Sequence, residues 1–183
     1  LRAALDRMEI DRCLLFGHHS GASIAVQIAH DEPARVHRLV LSGPPYLTQA
    51  QLEALIPTVT PLHLDESGEH LLKVWRRIRA KDPEAPLSLV HREVVLNLHA
   101  GLRYPEAYEA VFAHDLPGQL RALTCPTLVI TGAHDTIRAS AEPAYRALRD
   151  GQLTVFPRGT TYICDREPEL VADALRTFFQ LAP

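Results

Sequence analysis

The sequence is poor in cysteine, has no excess of basic residues and contains no long apolar run. Its three cysteines, Cys13, Cys125 and Cys164, are too few and too irregularly spaced for a disulfide framework or a metal knuckle. The formal net charge of -3 provides no basic surface for nucleic acid, and no apolar stretch is long enough to span a membrane. We therefore expect a protein of the reducing cytoplasm whose partner is a small molecule, not nucleic acid or a membrane.

The length and composition predict one globular domain. With 183 residues, 46% of them hydrophobic and 22% charged, the chain can bury one sizeable core. Leu1, Ala4, Leu5 and Met8 recur at helical spacing, yet no capping residue precedes them. We interpret the sequence as a fragment that begins inside a helix.

Apolar patterns alternate between strand and helix at both ends of the chain. The first part predicts a strand near 13–16, a helix over 21–30 and a strand near 39–41; the last part predicts a strand at 127–131, a helix near 140–149, a strand at 153–156 and a helix at about 168–181. Strand–helix–strand units form right-handed parallel crossovers. The pattern therefore predicts an α/β fold with a doubly wound, mostly parallel sheet and helices on both faces.

A helical insertion interrupts this alternation. Ser67 is a candidate N-cap, Pro86 and Pro105 suit the first turns of helices, and Trp75 lies on an apolar stripe as a candidate pocket residue. The candidate helices lie near 48–55, 67–80, 86–101 and 105–113. We divide the single domain into a sheet core at 1–45, a helical cap or lid at 46–115 and a second part of the sheet core at 116–183.

The segment from Gly17 to Gly21 has the pattern of a nucleophile elbow, a sharp turn between a buried strand and a helix. The third of its five residues is His19, and Ser20 follows one place later. At an elbow the third residue adopts a positive φ and points its side chain into the site, while the next residue offers its backbone N–H. Histidine tolerates positive φ better than most residues, so the turn predicts an imidazole at the nucleophile position.

Two stretches carry a resemblance to a known family. The run LLFGHHSGASIAVQIAHDEPARVHRLVLSGPP and the later run CPTLVITGAHD resemble the α/β-hydrolase superfamily of the AB hydrolase-1 type, and the resemblance extends over essentially the whole chain. It implies an incomplete α/β-hydrolase fold with Asp135 at the position of the catalytic acid. In the family the catalytic histidine follows the final strand, and the register of the resemblance implies that Thr161 stands at that position here. No histidine follows His134 in the sequence. The ordinary triad is therefore missing.

His19, Asp135 and His18 each leave more than one interpretation to consider. His19 is either a nucleophile or general base, because imidazole titrates near neutral pH, or a residue that only lines the pocket. Asp135 either supports catalysis or serves structure, by bonding Thr160 or Thr161 or by capping the following helix. His18 is expected to pack beside the elbow.

Ser20 contributes through its backbone rather than its side chain in our interpretation. Its N–H is a candidate oxyanion donor, and the resemblance implies that a second donor comes from a segment before Leu1. Ser20 and Ser23 are rival nucleophiles that lack the usual base. A metal site formed by His18, His19, His134 and Asp135 is disfavoured, because nothing fixes a coordination geometry.

Three functions follow from these observations. The first is a hydrolase that acts on a small, largely apolar ester, amide or related carbonyl compound, with His19, Asp135 and Thr161 in a degenerate triad. The second is a catalytically inactive member that binds a small molecule as a receptor or carrier, and the third is a protein-interaction module. The pocket is expected at the C-terminal ends of the strands, under the helical insertion. None of these functions implies a cofactor.

Overall fold

Four parallel strands form the sheet in the computed structural model, which describes residues 1–181. The strands pair in the order β1-β2-β3-β4, so each strand–helix–strand unit is a parallel crossover. The α/β sheet predicted from the apolar pattern is thereby confirmed. The strands are β1 (Cys13–His18), β2 (Val36–Ser42), β3 (Thr127–His134) and β4 (Gly151–Thr160).

Ten α-helices accompany the sheet within the described residues. Three short 3-10 turns, at Ile56–Thr58, Gly101–Arg103 and Arg138–Ser140, join some of them. The helices are α1 (Arg2–Arg7), α2 (Ser20–Asp31), α3 (Gln49–Leu55), α4 (Glu69–Lys81), α5 (Leu87–Ala100), α6 (Tyr104–Ala113), α7 (Leu116–Ala122), α8 (Ala141–Ala147), α9 (Ile163–Arg166) and α10 (Pro168–Phe179). None of them combines the length and the apolar character needed to cross a membrane.

Helices cover both faces of the sheet because successive strand residues point to opposite sides. Leu39 and Leu41 of β2 pack on one face with residues of α2 and α7. Val40, between them in sequence, packs on the other face with residues of α9 and α10. The sheet core thus consists of two apolar layers separated by the strands.

Helices α3 to α6, which we call the helical insertion, lie between β2 and α7 in the sequence. A separate apolar cluster joins α4 to α5 through Val74, Ile78, Val90 and Val94. Tyr162, which precedes α9, is buried in the same cluster. The insertion is therefore packed against the sheet core close to the end of β4.

The structure corrects one predicted cap and one strand. Helix α4 begins at Glu69 with Gly68 as its N-cap, so the prediction of Ser67 as the cap is wrong. Gly68 has a φ of 75°, which glycine adopts without strain. Strand β4 continues past Phe156 to Thr160, because it is the edge strand of the sheet and tolerates Pro157 there.

The C-terminal ends of all four strands meet at one edge of the sheet. His18 ends β1, Ser42 ends β2, His134 ends β3 and Thr160 ends β4. The residue after each of these therefore lies at the same edge, where open α/β sheets place their ligands.

Candidate active site

The turn between β1 and α2 holds His19 in a strained backbone conformation. Its φ is 50° and its ψ is -115°, a region that costs a residue with a side chain about 1–3 kcal/mol. The His19 backbone N–H donates to the Ser42 carbonyl over 2.8 Å, which ties the turn to β2. The conformation is the one that the glycine-flanked sequence predicts for an elbow.

Gly17 makes this turn possible. A Cβ atom at Gly17 would lie 2.4 Å from the carbonyl oxygen of Gly21, so any larger residue would push strand and helix apart. The turn can therefore close only with glycine at its first position.

The His19 ring meets Asp135 across the sheet edge. Nε2 of His19 lies 3.0 Å from Oδ2 of Asp135, and the aspartate side chain is fully buried while the imidazole is 25% exposed. Burial alone would raise the pKa of Asp135, but the hydrogen bond and charge of His19 outweigh it, and the pKa is lowered from its ordinary value. An ionised carboxylate only accepts hydrogen bonds, so Nε2 of His19 is the donor.

Thr161 holds the second carboxylate oxygen of Asp135. Its hydroxyl lies 3.4 Å from Oδ1 of Asp135 and accepts from the backbone N–H of Thr136 over 3.1 Å. The backbone N–H of Ile137 also donates to Oδ1, over 3.0 Å. Asp135 is thus fixed at both oxygens. A threonine hydroxyl cannot replace the missing histidine as a base near neutral pH.

Gly43 packs directly against this pair. It follows β2, has a φ of 55°, and a Cβ atom there would lie 2.8 Å from Nε2 of His19 and 2.9 Å from Oδ2 of Asp135. Gly43 is not among the site residues predicted from the sequence. Its position directly after a buried strand and before two prolines is the signal that could have identified it.

His18 stacks on His19 and is held neutral. The two ring centres are 4.2 Å apart, and Nδ1 of His18 lies 2.9 Å from the Ser42 hydroxyl. Burial first, and the nearby His19 second, lower the pKa of His18 from 6.5 to about 4. A neutral ring therefore packs against the elbow imidazole, at the position beside the elbow where the sequence analysis expects it.

One nitrogen of His19 remains available for chemistry. Nε2 is engaged by Asp135, and within the described residues Nδ1 has no hydrogen-bond partner. Ser20 is the first residue of α2, so its backbone N–H has no partner inside the helix, and it follows His19 directly in the chain. The turn thus supplies a nitrogen lone pair on one residue and a free N–H donor on the next, the two kinds of group that addition of a nucleophile to a carbonyl requires.

Two candidate residues lie apart from this group. Trp75 packs with the apolar cluster of the helical insertion, and among the described residues it makes no hydrogen bond to the elbow. His134 is exposed at the end of β3. Across residues 1–181 no set of three or more His, Cys, Asp or Glu side chains is arranged to hold a metal ion.

Comparison with known proteins gives consistent matches. The family described as serine aminopeptidase, S33, matches residues 1–160. The pimeloyl-[acyl-carrier protein] methyl ester esterase of Nitrosospira multiformis is 26% identical over 157 residues, which cover 79% of this chain and 60% of that protein. The chain therefore spans about three-fifths of the length of this curated relative.

Solved structures share the same fold. A hydrolase from Pseudomonas aeruginosa superimposes with a TM-score of 0.74 at 25% identity, over 97% of this chain and 68% of that one. An esterase from Exiguobacterium antarcticum has a TM-score of 0.77 at 21% identity, over 98% of this chain and 70% of that one. The incomplete α/β-hydrolase fold that the resemblance implies is confirmed by these neighbours and by the parallel sheet.

Proposed function

Because the chain belongs to the serine aminopeptidase S33 family and has the α/β-hydrolase fold, we propose that it hydrolyses a small, largely apolar ester or amide with His19 in place of the nucleophilic serine. The observation that carries the proposal is the hydrogen bond from Nε2 of His19 to the buried, ionised Asp135. This bond orients the imidazole and leaves the lone pair of Nδ1 free at the elbow.

The proposed reaction uses the lone pair of Nδ1 in one of two ways. As a base, Nδ1 takes a proton from water, whose oxygen adds to the carbonyl carbon; the proton then passes to the leaving alcohol or amine as the tetrahedral intermediate collapses. As a nucleophile, Nδ1 adds to the carbonyl itself, the leaving alcohol or amine takes a proton from solvent as its bond to the carbonyl carbon breaks, and water then hydrolyses the acyl-imidazole, which releases the acid and restores Nδ1. In both cases the Ser20 N–H stabilises the oxyanion and Asp135 stabilises the positively charged ring.

The relatives support the class of substrate. One is described as a methyl ester esterase and another as an esterase. Ester hydrolysis is the addition of water to an ester carbonyl followed by loss of the alcohol. We propose an ester as the first substrate class to test, in a cytoplasmic protein.

Turnover of a panel of aryl and alkyl esters tests the proposal. His19→Ala removes the free nitrogen, and Asp135→Asn removes the charge that orients it, so kcat/KM should fall by about 100-fold or more and by about 10-fold or more, respectively. His30→Ala, an exposed histidine on α2, is the matched control and should leave the rate unchanged.

Two outcomes oppose the proposal. A wild-type protein that turns over no ester but binds one would be the inactive binding member of the family. Turnover that survives His19→Ala would remove His19 from catalysis. Mass spectrometry of rapidly quenched enzyme then separates the two routes, since only the nucleophilic route leaves an acyl group on the protein.

A further inference from the structure

A cleft opens where the helical insertion meets the ends of β3 and β4. Its volume of about 400 Å³ lies within the range of small-molecule pockets, about 300–1,000 Å³. The insertion contributes residues 81–84, and the sheet core contributes His134, Arg158, Thr160 and Arg166. Neither member of the hydrogen-bonded histidine–aspartate pair lines it, so the cleft is separate from the candidate active site.

Three cationic side chains line this cleft, and each of them has hydrogen-bond donors to spare. The side chains of Lys81 and Arg158 form no hydrogen bond and no ion pair within residues 1–181. Arg166 binds both oxygens of Asp82 through Nη1 alone, over 3.0 and 2.7 Å, so its Nε and Nη2 have no partner among the described residues. The cleft thus collects nitrogen donors that the protein itself does not use.

The carboxylates of the cleft do not neutralise these donors. Each oxygen of Asp82 already accepts two hydrogen bonds, one of them from Arg166. The Thr160 hydroxyl and the Glu84 backbone N–H supply the others, over 2.8 and 3.1 Å. The Glu84 side chain is exposed and forms no ion pair with any of the three cations. The whole chain has a formal net charge of -3, so this surplus of positive charge is local, and it attracts an anion to the cleft.

We propose that the cleft binds a small phosphate monoester whose phosphate group bridges the helical insertion and the sheet core. Such a phosphate carries a charge of about −1.5 to −2 at neutral pH and has three strong acceptor oxygens. Lys81, Arg158 and Arg166 belong to α4, β4 and α9, so cations on three elements match a group whose acceptors point in three directions. A carboxylate has two oxygens in one plane and satisfies fewer of these donors. The cleft is larger than a phosphate, and its remaining space accommodates the organic part of the ester.

This site does not rest on the proposed function, because no residue of the proposed reaction lines the cleft. A ligand that binds only the folded protein stabilises it. A phosphate held by Lys81 of the insertion and Arg158 of the sheet core should therefore raise the thermal midpoint, whether or not the elbow hydrolyses an ester. Glycerol 3-phosphate should raise the midpoint of wild type and should raise that of Lys81→Gln by less.

Calorimetry with glycerol 3-phosphate at constant ionic strength tests the site. Lys81→Gln keeps much of the aliphatic stem but removes the charge, and it should weaken binding by about 10-fold or more, equivalent to about 1.4 kcal/mol. Lys73→Gln is the matched control, because Lys73 is an exposed residue of the same helix that does not line the cleft. It should change the affinity by less than about twofold, or about 0.4 kcal/mol. Equal affinities of the two variants, or no binding by wild type at millimolar ligand, would overturn the proposal.

The variant Glu84→Gln tests the sign of the ligand's charge. Glu84 lines the cleft and repels an anion, so its neutralisation should strengthen the binding of glycerol 3-phosphate by about two- to threefold. Binding that is unchanged or weaker in this variant would mean that the charge of the lining does not select an anion, which would overturn the proposal.

Two further probes at the same ionic strength test the chemical class of the ligand. Succinate is a dianion without a phosphate, and inorganic phosphate lacks the organic part. Each should bind several-fold more weakly than glycerol 3-phosphate. Succinate that binds equally well would show a general anion site, and inorganic phosphate that binds equally well would show that the organic part is not recognised. Either result would overturn the assignment to a phosphate monoester.

Discussion

At the scale of the residue, the site depends on two stacked histidines that have different roles. His19 is partly exposed and hydrogen-bonded to a carboxylate, whereas His18 is half-buried and hydrogen-bonded to a hydroxyl. A protonated His18 would be poorly solvated and would stack on a second imidazole. Burial first, and His19 second, therefore lower the pKa of His18. We infer that His18 stays neutral so that positive charge can develop on His19 alone.

The titration of His18 predicts how stability depends on pH. Its pKa is about 4 in the folded protein and 6.5 as an ordinary value, so the unfolded chain binds the proton first as the pH falls. The stability is therefore fully present above pH 6.5 and decreases between pH 6.5 and 4 by up to about 3 kcal/mol. The lowered pKa of Asp135 acts in the same direction at lower pH.

The variant His18→Asn tests this assignment. Asparagine can retain the bond to Ser42 but does not titrate, so urea unfolding of the variant should depend less on pH between 6.5 and 4 than that of wild type. Parallel pH profiles for the two proteins would contradict the assignment. His30→Ala, which removes an exposed histidine of α2, serves as the control.

Part of the site could be predicted from residues and part could not. The elbow position of His19, the loop position of Asp135 and the register that gives Thr161 are all marked by local motifs. The contact between His19 and Asp135 spans 116 residues, and it follows only if both strands end at the same sheet edge. The packing of Gly43 on that contact depends on tertiary geometry that local sequence does not encode.

At the scale of the element, the elbow is a strand, a turn and a helix that share one close contact. Gly17 and Gly21 flank the turn, but they differ in what surrounds them. A Cβ atom at Gly17 would meet Gly21 at 2.4 Å, whereas one at Gly21 would have nothing within 4 Å. The first glycine is required by the turn, and the second is not required by packing.

Alanine at each glycine tests this difference. Gly17→Ala should destabilise the protein by about 1–3 kcal/mol and displace His19, because strand and helix must separate. Gly21→Ala should be neutral or stabilising by up to about 1 kcal/mol, since alanine favours helix. Urea unfolding of both variants measures the effect. Equal losses would show that the close approach at Gly17 does not shape the elbow.

The elements themselves were largely predictable because the apolar pattern is strong. Each strand and long helix lies near its predicted position, since burial on one or both faces dictates its sequence. Helix α7 was not predicted, although Asp115 caps it by accepting from the Gly118 N–H and Pro117 occupies its first turn. Pro117 and Gly118 stand side by side within it, a pair typical of a turn, and this hides the apolar spacing of the helix.

At the scale of the whole molecule, an ion pair between the buried Asp82 and the partly exposed Arg166 joins the helical insertion to the sheet core. Asp82 follows α4 and is 3% exposed, and both of its oxygens accept from Arg166 of α9, at 2.7 and 3.0 Å. The Thr160 hydroxyl also donates to Asp82, over 2.8 Å, at the end of β4. Burial raises the pKa of Asp82, but its bonds to Arg166 and Thr160 outweigh burial and the pKa is lowered.

Breaking this pair should loosen the insertion. Asp82→Asn leaves Arg166, whose side chain is 32% exposed, without its counter-charge and should reduce the free energy of unfolding by about 1–2 kcal/mol, because hydration of the exposed part of the guanidinium offsets part of the loss. Glu106→Gln breaks the exposed pair with Arg103 and should change it by less than about 0.5 kcal/mol. Similar losses in the two variants would mean that the pair does not hold the insertion.

The protonation of the His19 ring tests the central claim most directly. Long-range proton–nitrogen NMR correlations at neutral pH distinguish a ring protonated on Nε2 from one protonated on Nδ1. We predict a proton on Nε2, directed at Asp135, with Nδ1 bare, and a shift of this equilibrium in Asp135→Asn. A ring protonated on Nδ1, or one that is indifferent to Asp135→Asn, would contradict the account.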